Sequence, residues 1–131
     1  MAVEVTSDII AILIAEAARA VPAECCGLLL GRAGRITAAR VAANVADDPL
    51  RRFEIDPAAL LAAHREARSG GAELLGYFHS HPEGHPAPSA VDCEHASGDR
   101  RVWAIVAGGE VAFWRDGENG FEALSYRVVD G

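Results

Sequence analysis

Five residues in this chain are suited to hydrolytic chemistry: Glu24, His79, His81, Ser89 and Asp92. His79 and His81 close an apolar run, Leu74 to Phe78, that reads as a buried strand. Residues two apart on an extended chain point to the same side, so the two imidazoles can converge on one point. Pro82 then stops the strand. Asp92 arrives from the start of the next element. Two imidazoles and a carboxylate make a three-ligand set with the fourth tetrahedral position left to water, the arrangement of catalytic rather than structural zinc. A water activated there needs a base, and a nearby carboxylate is the usual one. Glu24 is the candidate, because it opens an apolar segment, Cys25 to Gly31, where a charge is costly without a partner or a task.

Each of these residues also has a plainer reading. A His-x-His pair can be a surface feature, and Glu24 can be an exposed strand start. Pro88-Ser89 with Asp92 three places on resembles a capping box, with Ser89 as N-cap and Asp92 stabilising the helix dipole. The two readings of Asp92 are compatible. A helix that begins at Ser89 holds Asp92 in its first turn, a rigid position from which one oxygen can reach a metal.

The rest of the chain supplies elements to position these groups. A first helix is expected from a Thr6, Ser7 or Asp8 cap to about Ala20, with Ile9, Ile10, Leu13, Ile14 and Ala17 on one face. Glu24 to Gly31 reads as a buried strand, Gly31 to Gly34 as a turn, and Ile36 to Val41 as the returning strand. Asn44 to Arg52 is a polar loop, and Phe53 to Ile55 a short extended piece. Asp56-Pro57 starts a second helix that ends at Ser69-Gly70-Gly71. Beyond the helix at Ser89 come strands at Val102 to Ala107, Val111 to Trp114 and Phe121 to Val129. This mixture predicts an α/β fold, a sheet covered by helices.

The chain has 131 residues, enough for one domain with a core and too few for two, so a single domain over 1–131 is expected. Its net charge of −7 argues against nucleic acid or an anionic membrane as partner. No apolar stretch is long enough to span a bilayer. The run Ile9 to Ala15 is preceded by Glu4 and Asp8 rather than by positive charge, so no secretion signal is expected. Three cysteines, Cys25, Cys26 and Cys93, make a disulfide framework improbable and point to a reducing cytoplasm. Every Lys/Arg position is Arg, so the chain offers no lysine side chain for conjugation or acetylation.

The order Glu24, then Cys26-Gly27-Leu28-Leu29, then His79-Ser80-His81-Pro82, then Ser89 and Asp92, resembles the JAMM (MPN+, JAB1/MPN/Mov34-type) zinc metalloprotease family in its small prokaryotic single-domain form. Arg52-Phe53-Glu54-Ile55-Asp56-Pro57 and Gly76-Tyr77-Phe78 extend the match over most of the chain. The resemblance implies a cytidine-deaminase-like mixed β-sheet flanked by helices. It implies Zn2+ on His79, His81 and Asp92, Glu24 as general acid/base, and Ser89 donating to the oxyanion. It also implies a substrate: the amide after the C-terminal Gly-Gly of a ubiquitin-like or sulfur-carrier protein. The tail is expected to lie extended along a sheet edge, with Asn44 to Arg52 as a flap. Oligomeric state is left open.

Other residues invite a role. His85 lies between the ligands, but a fourth protein ligand would close the site. His95 stands three residues after Asp92 and can orient its carboxylate or simply be exposed. Cys25, Cys26 and Cys93 read as small hydrophobes rather than nucleophiles. Two alternatives remain: a non-catalytic MPN-type scaffold, and a zinc amidohydrolase for a small peptide or peptidoglycan-type amide. A zinc nucleoside deaminase is set aside, because its His-x-Glu and Cys-x-x-Cys pairing is missing.

Overall fold

Along the chain run β1 (Val3–Thr6), α1 (Ile9–Ala20), β2 (Cys26–Arg32), β3 (Arg35–Ala42), α2 (Pro57–Arg68), β4 (Glu73–Ser80), α3 (Ala90–His95), β5 (Val102–Ala107), β6 (Glu110–Gly117), β7 (Gly120–Leu124) and β8 (Tyr126–Val129). The structure is a computed structural model that describes residues 2–130. Both long helices form for the expected reasons. Ile9 and Leu13, one turn apart, are buried, and Ile10, Ile14 and Ala17 pack beside them. In α2, Pro57 occupies the first turn, and the Asp56 carboxylate accepts from the Ala58 N–H at 3.0 Å. Asp8 holds the N-cap position of α1 without a capping hydrogen bond; its carboxylate accepts instead from the Thr6 hydroxyl at 2.8 Å.

The strands form one mixed sheet in the order β7-β6-β5-β4-β2-β3-β1-β8. The β4–β5, β1–β3 and β1–β8 pairs are parallel and the others antiparallel. Residues of β2 alternate between two packed layers. Leu29 faces a core with Val5, Ile9, Leu13, Phe78 and Phe113, while Leu28 and Leu30 face a second core with Ile55, Ala63 and Leu74. The mixed sheet flanked by helices is the fold class expected from the sequence.

Three expectations are corrected. The sequence pattern places α1 first, whereas Val3–Thr6 forms a strand that joins β3 to β8. Phe121 to Val129 is not one strand but two, β7 and β8, which sit at opposite edges of the sheet with only Ser125 between them. The sheet must therefore curl until its edges meet, and the Ser125 carbonyl accepts from the Val3 N–H at 3.0 Å at that seam. Finally, β2 begins at Cys26, so Glu24 stands just before the strand rather than opening it. Among the described residues, no helix is long and apolar enough to cross a membrane.

Candidate metal centre

β2 and β4 lie side by side and antiparallel, with Cys26 opposite His79. Continued two residues beyond that pair, the same ladder sets Glu24 across from His81. Ser80 holds the continuation: its N–H donates to the Cys25 carbonyl at 3.2 Å, and its hydroxyl accepts from the Cys25 N–H at 2.8 Å. The middle residue of His-Ser-His thus ties the segment that carries Glu24 to the strand that carries His79. The register between β2 and β4 slips between Leu29 and Leu30, leaving Leu75 without a β2 partner. This bulge changes which residues share a face. Leu74 joins the α2-side core with Tyr77, and Leu75 packs with Phe78 on the α1 side.

The His79 ring is fully buried. Phe53 stacks on it at 4.2 Å between centroids, and Trp103 meets it edge-on at 5.5 Å. His81 Nδ1 lies 2.8 Å from the His85 carbonyl. A carbonyl only accepts, so Nδ1 carries a proton and Nε2 is the nitrogen that faces the site. His85 therefore contributes its backbone and not its imidazole. The Trp114 indole N–H donates to the Pro86 carbonyl at 3.1 Å and fixes the same loop.

Ser89 and Asp92 make the expected capping box at the start of α3. The Ser89 hydroxyl accepts from the Asp92 N–H at 3.1 Å, and Asp92 Oδ2 accepts from the Ser89 N–H at 2.9 Å. The cap points that same Oδ2 at both imidazoles, 3.0 Å from His79 Nε2 and 3.1 Å from His81 Nε2. The two Nε2 atoms are 3.2 Å apart. A tetrahedral ion bound at zinc–nitrogen distance separates its ligand atoms by about 3.3 Å. The three atoms thus stand at nearly the spacing of three corners of such a tetrahedron. Glu24 also offers a carboxylate oxygen, within 4.8 Å of one nitrogen of each histidine. This donor set fits a divalent ion of zinc's size and chemistry.

The two carboxylates have opposite proton affinities. Burial pushes the Asp92 carboxyl up, but hydrogen bonds from His79 and His81 outweigh it and hold the group well below the usual carboxylate range. Burial raises Glu24 to about 7, His81 opposing and Asp92 adding to the rise. One Glu24 oxygen and His79 Nδ1 are buried with no hydrogen-bond partner. Burial lowers the His79 pKa, disfavouring the imidazolium. For His81 burial acts the same way but is overcome by the Asp92 and His85 hydrogen bonds, so its pKa rises. Carboxyl groups driven apart in this way are suited to different tasks in one site.

Glu24, His81 and Ser89 line a cleft of about 740 Å³ together with Val21, Leu50, Arg51 and residues of the loop that follows His81. The expected flap has a closed base, where Val45 donates to the Glu54 carbonyl at 2.9 Å and Asp56 to that of Ala43 at 3.2 Å. His95 is exposed and makes no hydrogen bond to Asp92; His64 and Cys93 are exposed as well. Cys25 and Cys26 are buried, and burial pushes the Cys26 thiol up to about 12, so neither is poised as a nucleophile. Phe53 and Ser80 lie inside sequence motifs, but their contacts with His79 and Cys25, like those of Asn44 with Glu24, come from distant parts of the chain.

Residues 6–117 match the family described as prokaryotic homologs of the JAB domain. A desampylase from Haloferax volcanii is 41% identical over 88 residues, 66% of this chain and 63% of the relative. A probable TtuB-protein conjugate cleaving protease from Thermus thermophilus is 42% identical over 53 residues, 40% of this chain and 36% of that one. The chain thus spans less than two thirds of the length of either curated relative. The solution structure of a protein from Desulfitobacterium hafniense superposes with a TM-score of 0.81 at 29% identity, covering 98% of this chain and 94% of the other.

Proposed function

The chain belongs to the prokaryotic homologs of the JAB domain, and on that premise we propose that it is a zinc-dependent isopeptidase. Its substrate is the amide that follows the C-terminal Gly-Gly of a ubiquitin-like or sulfur-carrier protein, and it works in the cytoplasm. The observation that carries this reading is Glu24, a buried carboxylate with a partnerless oxygen and a pKa near 7, beside three converging metal-type donors at the foot of an open cleft. The names of the relatives, a desampylase and a conjugate cleaving protease, support the substrate class.

His79 and His81 through Nε2, with Asp92 through Oδ2, hold the ion. Bound there, zinc supplies Lewis-acid polarisation of the scissile carbonyl and acidifies a water. Glu24 takes the proton of the attacking water and returns it to the leaving amine. The Ser89 oxygen accepts the Asp92 N–H, so its own proton is free to donate to the developing oxyanion. The N-cap and catalytic readings of Ser89 therefore coexist. Val21 and Leu50 give the cleft an exposed apolar surface.

The test is to assay the purified protein, with zinc content measured, on a ubiquitin-like protein isopeptide-linked through its Gly-Gly. Cleavage at that bond, loss with a chelator and recovery with zinc are expected. Metal-loaded protein that leaves such conjugates intact would overturn the reading.

A further inference from the structure

Glu24 precedes β2. Its neighbour Cys25 is tied to Ser80 of β4, and the N–H and carbonyl of Glu24 itself are held by the loop 44–54. The Glu24 N–H donates to the Pro49 carbonyl at 2.8 Å, and the Glu24 carbonyl accepts from Asn44 Nδ2 at 3.1 Å. Asn44 makes three further bonds: Nδ2 donates to the Arg52 carbonyl at 3.1 Å, and Oδ1 accepts from the N–H of Ala46 at 3.1 Å and of Glu54 at 3.0 Å. Two carbonyls demand the amide nitrogen and two N–H groups demand the oxygen, so the partners leave only one orientation. The same loop carries Leu50 and Arg51 into the cleft wall.

We propose that Asn44 is a positioning residue that ties the general base to the flap, so that the flap meeting the substrate and the Glu24 carboxylate move as one body. This rests on the reading of Glu24 as the base. The donor half of Asn44 holds the carbonyls of Glu24 and Arg52, and the acceptor half holds the N–H groups of Ala46 and Glu54. Loss of the donor half releases the Glu24 carbonyl, while the acceptor half and the Val45–Glu54 and Asp56–Ala43 bonds keep the loop closed. A displacement of about 1 Å costs on the order of 100-fold in rate.

The variants separate the two halves. Asn44→Asp keeps both acceptor contacts and loses both donors, and Asn44→Ala loses all four. On a ubiquitin-like protein isopeptide-linked through its Gly-Gly, zinc-loaded N44D is expected to lose about 10- to 100-fold in kcat, with KM within about threefold of the parent. The loss persists on the alkaline plateau of the pH profile, where Glu24 is ionised in both proteins and a shift of its pKa by the added charge no longer matters. In hydrogen exchange the Ala46 and Glu54 amides stay protected in N44D and lose protection in N44A. If N44D does not fold, the smaller, uncharged N44S is assayed in its place, with the same fall in kcat expected. Parental kcat in N44D with inactive E24Q would overturn the positioning role alone. E24Q that turns over like the parent would overturn the assignment of the base, and the positioning role with it.

Discussion

Replacing Glu24 by Gln removes the charge while keeping the shape, and the structure sets the size of the effect on stability. In the folded protein burial raises this carboxyl from an ordinary 4.5 to about 7. Between those two values the folded chain keeps a proton that the unfolded chain has released. The native state binds more protons there, so this group's contribution to stability falls as pH rises through the window. At about 1.36 kcal/mol per pKa unit, the full loss is about 3 kcal/mol and is complete above pH 7. For a domain of this size that is roughly 10 °C in Tm. In metal-free protein, E24Q is expected to match the parent near pH 4.5 and to melt roughly 10 °C higher at pH 8. Circular-dichroism melts at several pH values measure the difference directly, because every other titrating group is common to both proteins. Parallel curves for the two proteins across that range would refute the buried, partnerless state of Glu24. With zinc restored, the same variant retains the ion and loses turnover.

Asp92→Asn removes the charged oxygen that faces both imidazoles, so elemental analysis should find zinc lost from the purified variant. Ser89→Ala should lower kcat by about 100-fold if its proton reaches the oxyanion, whereas a cap alone is worth about 1 kcal/mol of stability and leaves kcat near the parent. Phe53→Ala unclamps the His79 ring, and zinc affinity measured by competition with a chelator should fall about 10-fold or more. Gly76→Ala would place a Cβ 1.8 Å from the Val102 carbonyl between two central strands. It should destabilise the fold by about 3 kcal/mol or prevent folding, which denaturant titration would show.

The residue types that make the centre are a property of the sequence. His79 and His81 sit two apart at the end of an apolar strand, and Ser89 and Asp92 sit three apart where a helix begins. Both spacings act within a turn or two of chain, so local geometry decides them. The buried run of β2 and the caps of α2 and α3 are legible for the same reason. Tertiary structure decided what depends on distant partners. The bulge at Leu75 divides β4 between two layers, and it exists only in the register against β2. Glu24 meets His81 because Ser80 holds Cys25 across 55 positions of chain. Ser125 separates β7 from β8 because the sheet curls, which no window around Phe121 to Val129 contains. Asn44 reads as one more polar loop residue until its four partners, drawn from both ends of the flap and from Glu24, are brought around it. Patterns within an element need only the covalent chain. Register, bulges and clasps are set by which surfaces bury one another.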